Sequence, residues 1–156
     1  KKSEVVTAGI REFSQDQYQV DILKVEIPVD LHFTSGTRWS EGHETAYSHQ
    51  EALALYRRAA QAARRPFIYL SAGVSSVQFR QSLEMAVEAG VPFSGILCGR
   101  ATWQEGIPVY AREGLCALED WLSTSGVSNI QGINDILALA CSWKNFRQPG
   151  ISPDKT

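Results

Sequence analysis

Val20–Asp30 reads VDILKVEIPVD, and this stretch decides the fold. A strand covered on both faces reads as a near-continuous Val/Ile/Leu run and belongs to a parallel sheet. Here a lysine and a glutamate interrupt such a run. Alternation puts Ile22, Lys24, Glu26 and Pro28 on one face and Leu23, Val25 and Ile27 on the other. The second face is purely aliphatic and suits a layer of helices. The first is expected to carry its amine and carboxylate inside the protein, where ionisable groups are seldom left unless paired or used. Two readings stay open at this point: a structural ion pair, or a lysine placed for Schiff-base chemistry.

Outward from this strand, helical and strand patterns alternate. Apolar Val5, Val6, Ile10 and Phe13 predict a helix over Ser3–Phe13. A polar stretch, Asp30–Tyr47, is longer than most connections between a strand and a helix. Ser48 opens the next helix, because S-H-Q-E puts Glu51 in the capping-box position; that helix ends at Arg65-Pro66. A short run, Phe67–Leu70, follows as the second strand. Ser75 caps a helix over Val77–Ala89, with Gln78 in the box position and Gly90 as the stop. Gly95–Cys98 is the third strand. A helix from about Ile107 to Ser123, a break at Gly126 and a last helix from about Ile130 to Trp143 complete the order αβαβαβαα. Arg147–Thr156 is expected to be a loosely held tail. Helix-length crossovers between apolar strands imply an α/β fold with a parallel sheet.

Composition narrows the function. The chain has 156 residues, is 44% hydrophobic and 21% charged, and has a formal net charge of −2. No basic stripe suits a nucleic acid, and no apolar run approaches the ~20 residues that span a membrane. Arg57, Arg58, Arg64 and Arg65 read as a solvated helix face. Cys98, Cys116 and Cys141 form neither a metal motif nor a disulfide framework, which suits a reducing, cytoplasmic setting. His32, His43 and His49 match no zinc spacing and read as surface residues. No metal site is expected.

Ligands in parallel α/β folds gather at the carboxyl ends of the strands, and all three ends here are chemically unusual. The first carries Lys24 and Glu26. The second runs into Ser71-Ala72-Gly73 and the third into Gly99-Arg100. Glycine turns let backbone approach a ligand closely, and turns of this kind after the last strands of a (β/α)8 barrel commonly bind phosphate. Arg100 adds a bidentate, permanently charged clamp. Trp103 and Trp121 read as packing residues, and Cys98 as a small core residue.

DILKVEIPV, FIYLSAGVS and GILCGRATW, in this order, together with WLSTSGVSNI, resemble the class I, metal-independent tagatose 1,6-bisphosphate aldolase family. The resemblance implies the C-terminal part of a (β/α)8 TIM barrel, strands six to eight with their helices, over residues 1–146, followed by the tail 147–156. It implies that Lys24 is the Schiff-base lysine, and that Ser71, Gly73, Gly99 and Arg100, with Glu26 beside them, contact substrate and phosphate. The expected reaction is cleavage of a ketohexose 1,6-bisphosphate to dihydroxyacetone phosphate and glyceraldehyde 3-phosphate, with no cofactor beyond the lysine imine. A full barrel needs about 250 residues, and the family's upstream acid–base glutamate has no counterpart here. The chain is therefore expected to be weakly active or inactive alone, and to work with a companion N-terminal half-barrel, with further copies of itself, or as the ordered part of a longer polypeptide. Thr34–Ser40 reads as an extension of the family's loop, and bears on substrate preference. Two alternatives remain: a non-catalytic sugar-phosphate-binding half-barrel, and an aldolase of the related sulfofructose-phosphate type.

Overall fold

Leu23–Glu26 (β1), Phe67–Leu70 (β2) and Ile96–Leu97 (β3) form one parallel sheet in the order β1-β2-β3, in a computed structural model that describes residues 1–146. Leu23 stands opposite Phe67 and Glu26 opposite Leu70, while Tyr69 and Leu70 stand opposite Ile96 and Leu97. The sequence and structure therefore agree on an α/β arrangement of three parallel strands, consistent with part of a barrel. The expected tail, Arg147–Thr156, lies outside the described residues.

β1 is shorter than its apolar run. Ile27, Pro28 and Val29 are buried but lie beyond the ladder. Pro28 has no N–H to donate, and the partner strand β2 ends at Leu70. The third strand likewise contracts to two residues, although Ser71 N–H still reaches Leu97 O at 3.3 Å.

Helices cover one face of the sheet. Lys2–Phe13 (α1) packs on β1 and on His49–Gln61 (α2), which meets Ser76–Glu88 (α3). Both predicted caps of α2 and α3 form. Ser48 and Glu51 exchange the full pair of bonds, while Ser75 accepts from Gln78 N–H at 3.2 Å without a reciprocal bond. Under these helices lies an aromatic core. Phe67, Tyr69, Phe79 and Phe93 are sealed from solvent, and Tyr69 meets Tyr56, Phe67 and Phe93 at ring-centroid distances of 6.3, 5.5 and 5.5 Å. The Tyr56 hydroxyl donates to Ser82 O at 2.8 Å, so its polar end is satisfied. Arg57, expected on a purely solvated face, donates from Nε to Ala89 O at the end of α3.

The helices after β3 differ from expectation. An unforeseen single turn, Arg100–Trp103 (α4), follows directly, and then Gly106–Glu113 (α5). The break falls at Gly114 and not at Gly126. Leu115–Trp121 (α6) runs through a π turn, Leu122–Gly126, into Val127–Leu137 (α7) without interruption. Gly126 keeps helical angles and has Trp121 and Leu122 packed over the place of its missing side chain. It serves close packing there, which a glycine does as well as ending a helix. The last helix accordingly stops at Leu137, short of Trp143.

Within this chain the two faces of the sheet differ in cover. Leu23, Val25 and Ile27 are buried against helices as predicted, but Lys24 and Glu26 are exposed. They share their face with Ile68, Leu70 and Leu97 by register, and no described helix lies across it.

Candidate active site

The carboxyl ends of β2 and β3, with Lys24 from within β1, border a cavity of about 370 Å³ lined by Lys24, Ser71, Gly73, Gly99, Arg100 and Trp103, together with Leu70, Ala72 and Leu97. Register explains the gathering. Lys24 sits opposite Ile68, so the turn leaving β2 begins three residues further along, at Ser71, and the turn leaving β3 lies beside it. Residues far apart in sequence thus meet through two parallel pairings.

The turn after β2 is tightly wound. Ala72 and Gly73 both take positive φ, 52° and 85°, and Val74 N–H closes the turn on Ser71 O at 3.2 Å. At Gly73 the backbone conformation calls for a glycine. Its backbone lies in the left-handed region, and a methyl there would stand 3.4 Å from Arg100 Nη2. The guanidinium therefore lies directly over the bare backbone of the neighbouring turn. Gln104 Nε2 donates across to Val74 O at 3.5 Å, tying the two turns together. Ser71 is nearly buried, yet its hydroxyl has no hydrogen-bond partner among the described residues. The cavity can therefore offer an ammonium, a guanidinium and a hydroxyl to one anionic ligand.

Glu26 is placed differently from the other sequence candidates. Its carboxylate points to Lys2 on α1 at 3.8 Å, with both side chains about half exposed, and it does not line the cavity. A larger groove of about 690 Å³ runs between α1 and β1 and has Lys24 and Glu26 on its rim. It is walled mainly by apolar residues, with Lys1 and Lys2 also in its lining, and it holds neither Arg100 nor a glycine turn.

Two features were not anticipated, one in the cavity and one outside it. Trp103, read as packing, is 45% exposed and forms a wall of the cavity. Its position was legible in principle, since it follows Arg100 by three residues and one helical turn brings them to the same side. The second feature is in the long loop. His32 Nδ1 lies 2.9 Å from Asp30 Oδ1, and the His32 backbone N–H also donates to that oxygen. Burial raises the Asp30 carboxyl, but the bonds and charge from His32, with a smaller contribution from Lys2, outweigh it and hold the group below its ordinary value. The loop is anchored to α3 by Trp39 Nε1–H donating to Gln81 Oε1 at 2.8 Å. His49 pairs with Glu88 at 2.8 Å on the surface, away from the cavity.

Among the described residues no cluster of His, Cys, Asp or Glu could hold a metal ion, and no helix is long and apolar enough to cross a membrane. Cys98 lies just past β3, half-buried, and burial pushes its thiol up, which disfavours the thiolate.

The model of the DeoC/LacD family aldolases matches residues 1–105 of the chain, which include all three strands and the Lys24, Ser71, Gly73, Gly99 and Arg100 positions. Tagatose 1,6-diphosphate aldolase 2 of Enterococcus faecalis is 45% identical over 91% of the chain and 42% of its own length. The tagatose 1,6-diphosphate aldolase of Staphylococcus epidermidis is 44% identical over 92% of the chain and 44% of its own length. That of Streptococcus pneumoniae is 40% identical over 92% and 43% respectively. The chain thus spans less than half the length of these curated relatives.

Proposed function

The chain belongs to the DeoC/LacD family of aldolases, and from that premise we propose that it supplies the lysine and phosphate-binding part of a class I aldolase acting on tagatose 1,6-bisphosphate. The observation that carries this reading is one cavity holding Lys24 together with Ser71, Gly73, Gly99 and Arg100. In this reading the three strands are strands six to eight of an eight-stranded barrel, and the exposed face bearing Lys24 is the one turned to the barrel interior.

The chemistry follows from the residues. Arg100 and the two glycine turns hold the phosphate at one end of the ketose. That anchor sets the C2 carbonyl near Lys24, converting a bimolecular attack into a local one. The free amine of Lys24 adds to C2 and the carbonyl oxygen departs as water, leaving an iminium. The C3–C4 bond then breaks, with its electron pair drawn toward the iminium nitrogen while the C4 hydroxyl loses its proton. Glyceraldehyde 3-phosphate leaves. The enamine is protonated at C3, and water hydrolyses the imine to release dihydroxyacetone phosphate. No carboxylate lines the cavity, so the proton acceptor at the C4 hydroxyl is not one of these residues. The mechanism needs no metal.

Imine trapping separates this reading from a non-catalytic sugar-phosphate site. The 156-residue chain, incubated with dihydroxyacetone phosphate and borohydride, should gain the reduced ketone's mass on the peptide carrying Lys24 and nowhere in a Lys24→Met variant. Phosphate binding without that adduct would leave a binding module and overturn the Schiff-base assignment.

A further inference from the structure

Trp103 carries a hydrogen-bond donor that no described residue accepts. Its indole N–H makes no hydrogen bond to any described residue, whereas that of Trp39 donates to Gln81. It shares the cavity of Lys24 and Arg100 and is 45% exposed into it and the adjoining solvent. A methyl group on Gly99 would stand 3.7 Å from Trp103 Nε1, just as one on Gly73 would stand 3.4 Å from Arg100 Nη2. The indole nitrogen therefore lies over the glycine leaving β3, and the guanidinium over the glycine turn leaving β2. The two donors flank one space.

The backbone beneath the indole is already ordered. Thr102 Oγ1 and its N–H both donate to Gly99 O, at 2.7 and 2.9 Å, and Asn129 Nδ2 donates to Thr102 O at 3.2 Å from α7. A ligand arriving here does not have to order the segment that carries the donor. An indole nitrogen donates and never accepts, so it suits an anion and is useless to a cation. A phosphoryl group has more acceptor positions than one guanidinium fills.

We propose that Trp103 Nε1–H is a phosphate-binding donor of this site, bonding an oxygen of the group clamped by Arg100. The face of the ring then stands with Leu97 as an apolar wall beside the ligand's carbon chain. This assignment rests on reading the cavity as a sugar-phosphate site.

The test uses the full chain with ¹⁵N-labelled tryptophan, whose four residues give separately assignable indole resonances. Titration with inorganic phosphate, and then with dihydroxyacetone phosphate, should move the Trp103 resonance in step with saturation. Trp103→Phe keeps the ring and loses the donor. It should weaken phosphate binding about ten-fold, as expected for one bond to a charged group, with the thermal midpoint unchanged. If the Trp103 resonance stays still while phosphate binds, or Trp103→Phe binds as tightly as wild type, the assignment is overturned and the site reading stands. If wild type binds neither probe, the site reading itself falls, and this assignment with it.

Discussion

Gly73→Ala and Gly90→Ala impose the same backbone problem in two different settings. Gly73 has φ +85° and Gly90 φ +69°, both in the left-handed region, where an L side chain costs about 1–2 kcal/mol. Restricting the unfolded chain returns about 0.4–1 kcal/mol of that, so each variant should lose roughly 1 kcal/mol in urea unfolding. Their surroundings differ. Gly90 closes α3, with its N–H on Val87 O at 2.8 Å and open space around the added methyl. At Gly73 the methyl meets Arg100 Nη2 at 3.4 Å and Cζ at 3.7 Å. The free protein tolerates that contact, but a phosphate oxygen must come within about 2.7–2.9 Å of the same nitrogen, and the methyl competes for that approach. Losing one charge-assisted bond amounts to about ten-fold in affinity. Calorimetric titration with phosphate should therefore show Gly73→Ala weakened about ten-fold and Gly90→Ala unchanged. Equal stability losses with equal, undiminished phosphate affinity in both variants would refute the placement of Arg100 over Gly73 as the anion clamp.

Two further outcomes follow from the core and the loop. Tyr56→Phe removes a buried hydroxyl that donates to Ser82 O at 2.8 Å, and should cost about 1–2 kcal/mol in chemical unfolding, because the carbonyl is left without that partner. Asp30, held below the ordinary carboxylate value by its bonds to His32, contributes stability that is fully present above its unfolded value and is lost as pH falls through the folded one. His32→Ala removes the principal bonds that lower it. Its carboxyl resonance should then titrate at higher pH, and acid unfolding should begin earlier; an unchanged Asp30 titration would show that the pair is not formed in solution.

Local features were legible because their causes lie within a few residues. The Ser48–Glu51 and Ser75–Gln78 starts, the aliphatic face of β1 and the glycine turns after β2 and β3 all follow from short-range spacing. Where the reading went wrong, the cause was contact at a distance. Gly126 looks like a stop by itself, but Trp121 and Leu122 pack into the space it leaves. Trp103 looks like filling until the cavity shows an open wall on its side of α4. Glu26 shares a face with Lys24 by alternation, yet its carboxylate lies 3.8 Å from Lys2 on α1 and does not line the cavity that Lys24 borders.

By itself, the sequence of this chain determined three strands in parallel order, the helices between them and a lysine aligned with two glycine-bearing strand ends. Periodicity, caps and turn chemistry act along the chain, so they can be read along it. Only the tertiary structure decided that Lys24 and Arg100 border one cavity and that Glu26 stands outside it. Those outcomes depend on strand register and on which face the helices cover, and both are set by packing between residues far apart in sequence.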